Sequence, residues 1–246
     1  MGLLDRLDGL VPADGPGTLV DIGTGTGTLA LAALRRWPGT HVNAVEPARK
    51  LIAMTEEAAR DAGVADRLTT QVGEGGSLPL PDRSADAAVS SFVLQLTPNR
   101  AAAVREAFRV LRPGGIFAHL TWLIDDAPWE PEDVFDDALD HLRIKPPSRS
   151  SGPDRSYTTP EAAAEELRRA GFRSVRAEEV WMEHRFTPSG YADLAEHWTE
   201  DDTFASLDEP MRRRLRAEVV RRLERLPARA LEWRRPLVSA IGRRPE

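Results

Sequence analysis

Three glycines at every second position follow an acidic residue near the start of the chain. Asp21 precedes Gly23, Gly25 and Gly27, and the helix-forming stretch 28–34 comes directly after them. This order predicts a strand, a tight turn and a helix N-terminus, where backbone N–H groups can hold a nucleotide-like ligand. Glycine suits such a turn because a Cβ would block the ligand and because the turn often needs a positive φ.

The spacing of the glycines distinguishes this turn from two other nucleotide-binding motifs. A dinucleotide fingerprint would place its third glycine where this chain has Thr28, and a phosphate-binding loop would have a lysine after its glycines. Asp21 would repel a pyrophosphate group but attract an ammonium or sulfonium group. The motif therefore favours a ligand with a positive charge, and a tight turn without a ligand is the alternative.

The segment from Asp21 to Gly27 resembles the first motif of the class I S-adenosylmethionine-dependent methyltransferases. In that family the acid lies near the methionine amino group of the cofactor, and the glycines let the cofactor approach the main chain. The S-adenosylmethionine-binding residues that this resemblance implies are Asp21, Gly23, Thr24, Gly25 and Gly27.

A second acid follows the next predicted strand, at residues 41–45. Glu46 ends this strand and Pro47 follows it. A carboxylate at this position can accept two hydrogen bonds from the diol of a ribose. A solvated surface acid is the alternative, but the position after the glycine motif favours ribose binding by Glu46, with Pro47 beside the cofactor.

Residues 73–82 resemble the segment that follows the third strand in the same family. The resemblance implies that Glu74 accepts a hydrogen bond from the adenine amino group and that the backbone N–H of Gly75 reaches the ring. This chain has glutamate where aspartate is usual, and a flexible glycine turn is the alternative.

The fourth predicted strand, residues 86–92, is also similar to a motif of the family. Its end implies contacts to the methionine end of the cofactor from Ser91, Phe92 and Gln95. Methyltransferases that act on amino groups of nucleobases or on glutamine amides carry an Asn/Asp-Pro-Pro-Tyr/Phe sequence at this point. This chain lacks that sequence, so we expect no nucleic-acid substrate.

Composition narrows the classes of function. The net charge of −6 gives no general attraction to nucleic acid or to an anionic membrane. The absence of cysteine excludes disulfides, thiolate metal sites and a cysteine nucleophile. The histidines lack the spacing of a metal site, and no apolar stretch approaches the roughly 18 residues of a membrane span. We therefore expect a cytoplasmic monomer or homodimer with no metal and a small-molecule substrate.

Strand and helix signals alternate over the first half of the chain, which predicts an α/β fold with a parallel sheet. The resemblance implies a Rossmann-like, doubly wound, mostly parallel seven-stranded sheet with an antiparallel last strand and a helical lid. We expect a cofactor-binding core at residues 1–121, a cap insertion at 122–158 and a C-terminal part of the same domain at 159–246. The substrate lid is predicted at about 187–226.

The methyl acceptor must be bound by segments outside these motifs. Methyl transfer by in-line displacement needs the acceptor atom about 3 Å from the methyl carbon, with water excluded. Most Trp residues and both Tyr residues lie beyond residue 121, where they could line an apolar pocket or build the core of a small cap. The predicted pocket residues are Trp122, Tyr157, Tyr191 and Trp198.

A general base is needed only if the nucleophile is poor at neutral pH, as an alcohol is. His119, His184 and His197 are the candidates for such a base. A single histidine more often has a structural role, so each candidate has that alternative.

The motifs together lead to one main hypothesis, the transfer of a methyl group to O or C of a small biosynthetic molecule. The layout, with a lid between the last two strands, resembles methyltransferases of the ubiquinone/menaquinone type and the trans-aconitate type. A non-catalytic S-adenosylmethionine-binding partner protein is one alternative. A nicotinamide-dependent reductase is another, and it is disfavoured because the chain has no Tyr-x-x-x-Lys sequence.

Overall fold

The computed structural model describes residues 2–147 and 156–246, and the chain divides into two compact units. The first, here called the sheet unit, comprises Met1–Ile124, Asp154–Val180 and Pro236–Glu246. The second, here called the helical unit, comprises Asp125–Pro153 and Trp181–Arg235. Residues 148–155, which fall in the predicted cap insertion, lie outside the described residues. The predicted domain boundaries stay a prediction.

Seven strands form one sheet. They are β1 (Thr18–Ile22), β2 (His41–Glu46), β3 (Leu68–Val72), β4 (Ala85–Ser91), β5 (Leu111–Trp122), β6 (Arg173–Arg185) and β7 (Glu232–Arg243).

The α-helices alternate with the strands in the first half of the chain, and in the second half they lie between β5 and β6 and between β6 and β7. They are α1 (Thr28–Arg36), α2 (Arg49–Asp61), α3 (Arg100–Val110), α4 (Glu130–Leu142), α5 (Pro160–Arg169), α6 (Pro188–Leu194), α7 (Asp201–Ala205) and α8 (Glu209–Leu223). Within residues 2–147 and 156–246, every helix is too short or too polar to cross a bilayer.

The strand order of the sheet is β3-β2-β1-β4-β5-β7-β6. Strands β1 to β5 pair in parallel, and β7 runs antiparallel to β5. This confirms the predicted doubly wound, mostly parallel α/β fold with an antiparallel last strand. Strands β2 and β3 lie on one side of β1, and β4 lies on its other side. Where the strand order reverses in this way, a crevice opens at the carboxyl ends of the strands.

The register of the central strands brings predicted site residues to one edge of the sheet. Asp21 of β1 pairs with Ala44 of β2 and with Val89 of β4. Glu46 and Ser91 each lie two residues beyond those partners, in the direction of the carboxyl ends. Parallel pairing therefore places Asp21, Glu46 and Ser91 around the same crevice.

Both faces of the sheet are covered, as parallel strands require. Successive side chains of β1 point to opposite faces. Val20 and Ile22 belong to a hydrophobic cluster with Val104 of α3, whereas Leu19 belongs to a second cluster with Leu34 of α1. These two clusters hold β1 rigidly, and with it the glycine turn that follows.

The helical unit has a hydrophobic cluster of its own. Leu215, Val219 and Leu223 recur at four-residue spacing on α8 and are buried in one cluster with residues of α4 and α6. The charged side of α8 is paired, for example between Arg222 and Glu218 at 2.7 Å. The predicted role of these helices as a substrate lid stays a prediction.

Candidate active site

A cavity of about 960 Å³ lies beyond the carboxyl ends of β1, β2 and β4 in the sheet unit. All the predicted cofactor-binding residues except Gly27 and Gln95 line it. These lining residues are Asp21, Gly23, Thr24, Gly25, Glu46, Pro47, Glu74, Gly75, Ser91 and Phe92.

The glycine turn between β1 and α1 uses its glycines in two ways. Gly25 has a φ of +58°, and a Cβ at this position would meet no atom within 4 Å, so its free side faces open space. Gly27 has a φ of +85°, and a Cβ there would approach the Thr55 side chain to 2.7 Å. The Thr55 hydroxyl also donates to the carbonyl of Gly25 at 2.9 Å. Gly25 thus leaves room for a ligand, whereas Gly27 permits packing on α2.

Asp21 is a buried carboxyl group in the wall of the cavity. It is 1% exposed, and the Thr24 hydroxyl donates to its Oδ2 at 2.7 Å. Burial raises the pKa of Asp21 to about 6, and the nearby charge of Glu46 acts in the same direction. A cation in the cavity would favour the ionised form of Asp21.

Glu46 connects the end of β2 to the glycine turn. Its Oε2 accepts a hydrogen bond from the backbone N–H of Gly25 at 3.1 Å, and its Oε1 accepts one from Ala48 at 3.2 Å. Each carboxylate oxygen has a second acceptor position. Glu46 can therefore hold the turn and still accept hydrogen bonds from a diol.

Glu74 and Gly75 lie on the turn after β3. The Glu74 carbonyl accepts a hydrogen bond from the Ser77 backbone at 3.0 Å. A Cβ on Gly75 would lie 3.3 Å from the Ile22 side chain, so the main chain here packs closely against the end of β1. Both residues line the cavity, and their predicted hydrogen bonds to adenine stay predictions.

Two charged residues of α3, which the sequence analysis missed, hold the segment after this turn. Glu106 accepts a hydrogen bond from the backbone of Leu78 at 2.7 Å. Arg109 donates to the carbonyls of Leu78 and Leu80 at 3.0 and 2.8 Å, and it pairs with Glu106 at 2.7 Å. The hydrogen bond from Arg109 holds the pKa of the Glu106 carboxyl below its usual range. Their spacing of three residues on a predicted helix is the signal that could have revealed them.

Phe92 contacts both Trp122 and Gln95. Phe92 lines the cavity, and its ring centroid lies 4.9 Å from that of Trp122. Gln95 is not among the lining residues, and its Nε2 donates to the carbonyl of Phe92 at 2.8 Å. The contact that the sequence predicts between Gln95 and the cofactor stays a prediction.

Tyr157 is 1% exposed inside the sheet unit. Its hydroxyl donates to Oε2 of Glu166 at 2.6 Å, and Arg100 donates its Nε–H to the same oxygen at 2.7 Å. Burial raises the pKa of the Tyr157 hydroxyl, and the negative charge of Glu166 adds to this shift. The predicted role of Tyr157 in an acceptor pocket is untested, and its contacts favour a role in packing.

His119 lies in the middle of β5 and is fully buried. Its ring stacks on that of Tyr157 with centroids 5.7 Å apart, and neither ring nitrogen has a hydrogen-bond partner among the described residues. Burial lowers the pKa of His119 to about 3, and the charge of Arg100 contributes to the shift. An enclosed imidazole that resists protonation is poorly suited to accept a proton from a substrate.

The other candidate bases are exposed residues of the helical unit. The ring of His184 meets that of Phe186 edge-on at 4.3 Å. Nδ1 of His197 lies 2.9 Å from the carbonyl oxygen of Asp193. The catalytic roles of His119, His184 and His197 stay predictions.

The two remaining aromatic candidates occupy different environments in the helical unit. Tyr191 is 3% exposed and meets Trp129 edge-on at 5.3 Å, within the hydrophobic cluster of that unit. Trp198 is 77% exposed. Their predicted roles in acceptor binding are untested.

Several lining residues were not predicted from the sequence. They come from the glycine turn, the turn after β3, the segment between β4 and α3, and the N-terminal parts of α1, α2 and α3. These residues are Thr26, Thr28, Leu29, Ala32, Leu51, Gly76, Ser77, Val93, Leu96, Thr97, Pro98, Asn99 and Ala102.

Comparison with known proteins identifies the segment that builds this cavity. Residues 20–119 match a family model described as a methyltransferase domain. The ubiquinone/menaquinone biosynthesis C-methyltransferase UbiE of Methylobacterium nodulans is 38% identical over 114 residues, which are 46% of this chain and 45% of that protein. The 27-O-demethylrifamycin SV methyltransferase of Amycolatopsis mediterranei is 32% identical over 126 residues, which are 51% of this chain and 46% of that protein. The chain thus spans less than half the length of these curated relatives.

A solved structure shows the same fold over nearly the whole chain. The phosphoethanolamine N-methyltransferase 2 of Haemonchus contortus, in complex with phosphomonomethylethanolamine and S-adenosylhomocysteine, has a TM-score of 0.61 at 16% identity. The likeness covers 99% of this chain and 52% of that one, and at this identity it concerns the fold alone. Residues 20–119, which hold every lining residue of the cavity, are thus similar to a methyltransferase domain.

Proposed function

We propose that the chain transfers the methyl group of S-adenosylmethionine to an oxygen or carbon atom of a small biosynthetic molecule. The observation that carries this proposal is that one cavity collects a residue suited to each part of the cofactor. Asp21 suits the methionine ammonium group, Glu46 the ribose diol, and the turn at 74–75 the adenine ring. The match of residues 20–119 to a methyltransferase domain supports the same conclusion.

The electrostatics of Asp21 favour a positively charged ligand. Burial raises the pKa of its carboxyl to about 6, so the ionised form lacks full stabilisation. An ammonium or sulfonium group nearby would supply that stabilisation, because an opposite charge is worth more where water is scarce. We infer that Asp21 serves ligand binding rather than the stability of the fold.

The chain's own part in methyl transfer is to orient the reactants and exclude water. S-adenosylmethionine, when bound, would supply an electrophilic methyl group. An in-line displacement on this carbon would leave S-adenosylhomocysteine, and the proton of the acceptor would pass to water, since no side chain is assigned as its base. Gly25 gives the cofactor access to the main chain, while Phe92 and Val93 form the wall next to the end of β4.

The acceptor atom is proposed to be oxygen or carbon. The name of one relative specifies a C-methyltransferase and that of the other a 27-O position, so the names leave both atoms open. The three candidate histidines are not among the lining residues of the cavity, so we assign no general base.

Isothermal titration with S-adenosylhomocysteine and with NADPH tests the cofactor assignment. We expect one S-adenosylhomocysteine to bind per chain and NADPH to give no heat of binding. Binding of NADPH in place of S-adenosylhomocysteine would support the reductase alternative and contradict the proposal.

Transfer of a labelled methyl group separates an enzyme from a non-catalytic partner protein. The chain is incubated with methyl-labelled S-adenosylmethionine and a panel of phenols, alcohols and activated carbon acids. Label in any of these acceptors would dismiss the non-catalytic alternative. The cytoplasmic location, the monomeric or homodimeric state and the absence of a nucleic-acid partner stay predictions.

A further inference from the structure

The first residue after β4 has a backbone conformation that favours glycine. Phe92 has a φ of +56°, in the left-handed region that is unfavourable for a residue with a Cβ. Such a conformation persists only where neighbouring groups hold it, and it is concentrated at functional sites. Phe92 also lines the cavity of the proposed cofactor site, so the groups that hold it bear on function.

Both backbone polar groups of Phe92 are connected to β5. Its N–H donates to the carbonyl of Leu120 at 2.8 Å. Its carbonyl accepts from Nε2 of Gln95 at 2.8 Å, and Oε1 of Gln95 accepts in turn from the hydroxyl of Thr121. Thr121 is 1% exposed, so the far end of this connection is fixed in the core.

The chemistry of these hydrogen bonds requires an amide at position 95. The Phe92 carbonyl can only accept, so the side chain of Gln95 must present its NH₂ group there and its oxygen to Thr121. A glutamate would place an acceptor against the carbonyl of Phe92. A methionine has a similar length but would leave both partners without a hydrogen bond.

The turn that begins at Phe92 contacts the glycine turn on one side and Trp122 on the other. The two γ carbons of Val93 fill the space that a Cβ on Gly23 would need. The ring of Phe92 lies 4.9 Å from that of Trp122. The backbone conformation of Phe92 therefore determines where the side chain of Val93 packs against the glycine turn.

We propose that Gln95 is a positioning residue for the cofactor site. Through the carbonyl of Phe92 it holds the wall formed by Phe92 and Val93 against the glycine turn, at the place where the methionine end of the cofactor is proposed to lie. Gln95 acts on the cofactor through this wall and does not contact it. This inference rests on the proposed function.

The first test replaces Gln95 in the full chain and measures the affinity for S-adenosylhomocysteine by isothermal titration. We expect Gln95→Met and Gln95→Glu to raise the dissociation constant about tenfold, in the range seen when one buried hydrogen-bond partner is removed. Gln71→Met, on β3 and not among the lining residues, is the matched control and should change it less than about twofold. An unchanged dissociation constant in both Gln95 variants would overturn the proposal.

Glycine at position 92 provides a rescue that separates positioning from general stability. Phe92→Gly adopts the left-handed conformation without support. In that background we expect Gln95→Met to raise the dissociation constant less than about twofold, since coupled residues give non-additive effects. An equal effect of Gln95→Met in both backgrounds would contradict a role through Phe92.

Hydrogen exchange measured without ligand distinguishes failure of this inference from failure of the proposed function. We expect Gln95→Met to speed exchange of the backbone amides at residues 92–96, while Gln71→Met leaves it unchanged. If S-adenosylhomocysteine fails to bind the wild-type chain, the proposed function and the cofactor role of Gln95 both fall. Slow exchange in Gln95→Met, together with wild-type binding of S-adenosylhomocysteine by the unmutated chain, would overturn the inference alone.

Discussion

Asp21 and His119 are both fully buried ionisable residues of the same sheet, but their surroundings differ. Asp21 lines a cavity, and its carboxyl group accepts a hydrogen bond from Thr24. His119 has no hydrogen-bond partner among the described residues. Burial shifts both groups toward their neutral forms, raising the pKa of Asp21 to about 6 and lowering that of His119 to about 3. The loss of hydration on burial therefore disfavours the charged form of both groups.

The difference lies in what can approach each group. Asp21 borders open space that a cationic ligand can enter, so its burial can be offset by binding. His119 is enclosed by the rings of Phe117 and Tyr157, at 5.6 and 5.7 Å between centroids. A buried ionisable group therefore points to chemistry only where a cavity reaches it.

Asp21→Asn gives the largest expected effect. We expect the affinity for S-adenosylhomocysteine to fall by about 10- to 100-fold, because a charge-assisted contact becomes a neutral one. The free energy of unfolding of the ligand-free chain should rise at pH 7 by about 2–3 kcal/mol, since the variant no longer ionises a buried carboxyl. Titration calorimetry and urea unfolding measure the two changes.

The opposite signs of these two changes set Asp21 apart from an ordinary structural residue. Asp66→Asn, at an exposed position, is the control and should alter neither quantity. If Asp21→Asn weakened binding and stability together, Asp21 would belong with the structural residues, and the contrast with His119 would disappear.

Glu46→Gln extends the comparison to the second acid of the cavity. In the wild type, two backbone N–H groups donate to the two oxygens of the Glu46 carboxylate. In the variant, one of these N–H groups would face an amide NH₂ group instead. We expect S-adenosylhomocysteine to bind about tenfold more weakly, from the loss of charge-assisted hydrogen bonds to the ribose diol. Adenosine and 2′-deoxyadenosine should lose their difference in affinity in this variant, which a competition titration would measure.

His119→Leu tests the other side of the comparison through acid stability. Between the ordinary histidine pKa of about 6.5 and the folded value of about 3, the unfolded chain binds a proton that the folded chain does not. The free energy of unfolding is therefore unaffected by this group above pH 6.5, and it decreases as the pH falls below that value. At pH 5 the loss is about 2 kcal/mol, and the variant should be spared it.

Urea unfolding at pH 7.5 and pH 5 measures this effect, with the exposed His184→Gln as control. The affinity of His119→Leu for S-adenosylhomocysteine should equal that of the wild type. A large loss of affinity would show that His119 communicates with the cavity, contrary to the comparison.

Tyr157→Phe gives the smallest expected effect. It removes the hydroxyl that donates to Glu166, while the ion pair of Glu166 with Arg100 remains. We expect the free energy of unfolding to fall by about 1 kcal/mol, with no change in the affinity for S-adenosylhomocysteine. A selective loss of methyl transfer with intact cofactor binding would instead favour the acceptor role that the sequence predicts for Tyr157.

The sequence predicted those site residues that belong to motifs at strand ends. Asp21, Glu46 and Ser91 follow or end short apolar strands, and parallel register brings such ends together without any detail of packing. For Gln95 the sequence predicted a direct contact with the cofactor, and the positioning role that we propose was not predictable, because it depends on the φ of Phe92 and on a hydroxyl of β5.

The histidine and aromatic candidates depend on side-chain environments that the sequence does not give, and their roles stay predictions. An aromatic or histidine residue at a given position does not reveal which face of its strand is buried, and His119 was proposed as a base from its residue type and its place in the fifth strand. Strand β7 shows a related limit, since it begins at Glu232, before the apolar residues at 237–241. Charged residues at the start of a strand weaken the apolar signal on which strand predictions depend.

The affinity for S-adenosylhomocysteine as a function of pH tests most directly whether Asp21 faces a cationic ligand. Asp21 has to be ionised to attract the ammonium group, so the dissociation constant of the wild type should rise below pH 6, by up to about tenfold per pH unit. In Asp21→Asn this part of the pH dependence should be absent. Parallel profiles for the two proteins between pH 4.5 and 7.5 would contradict the assignment of Asp21 to the cofactor site.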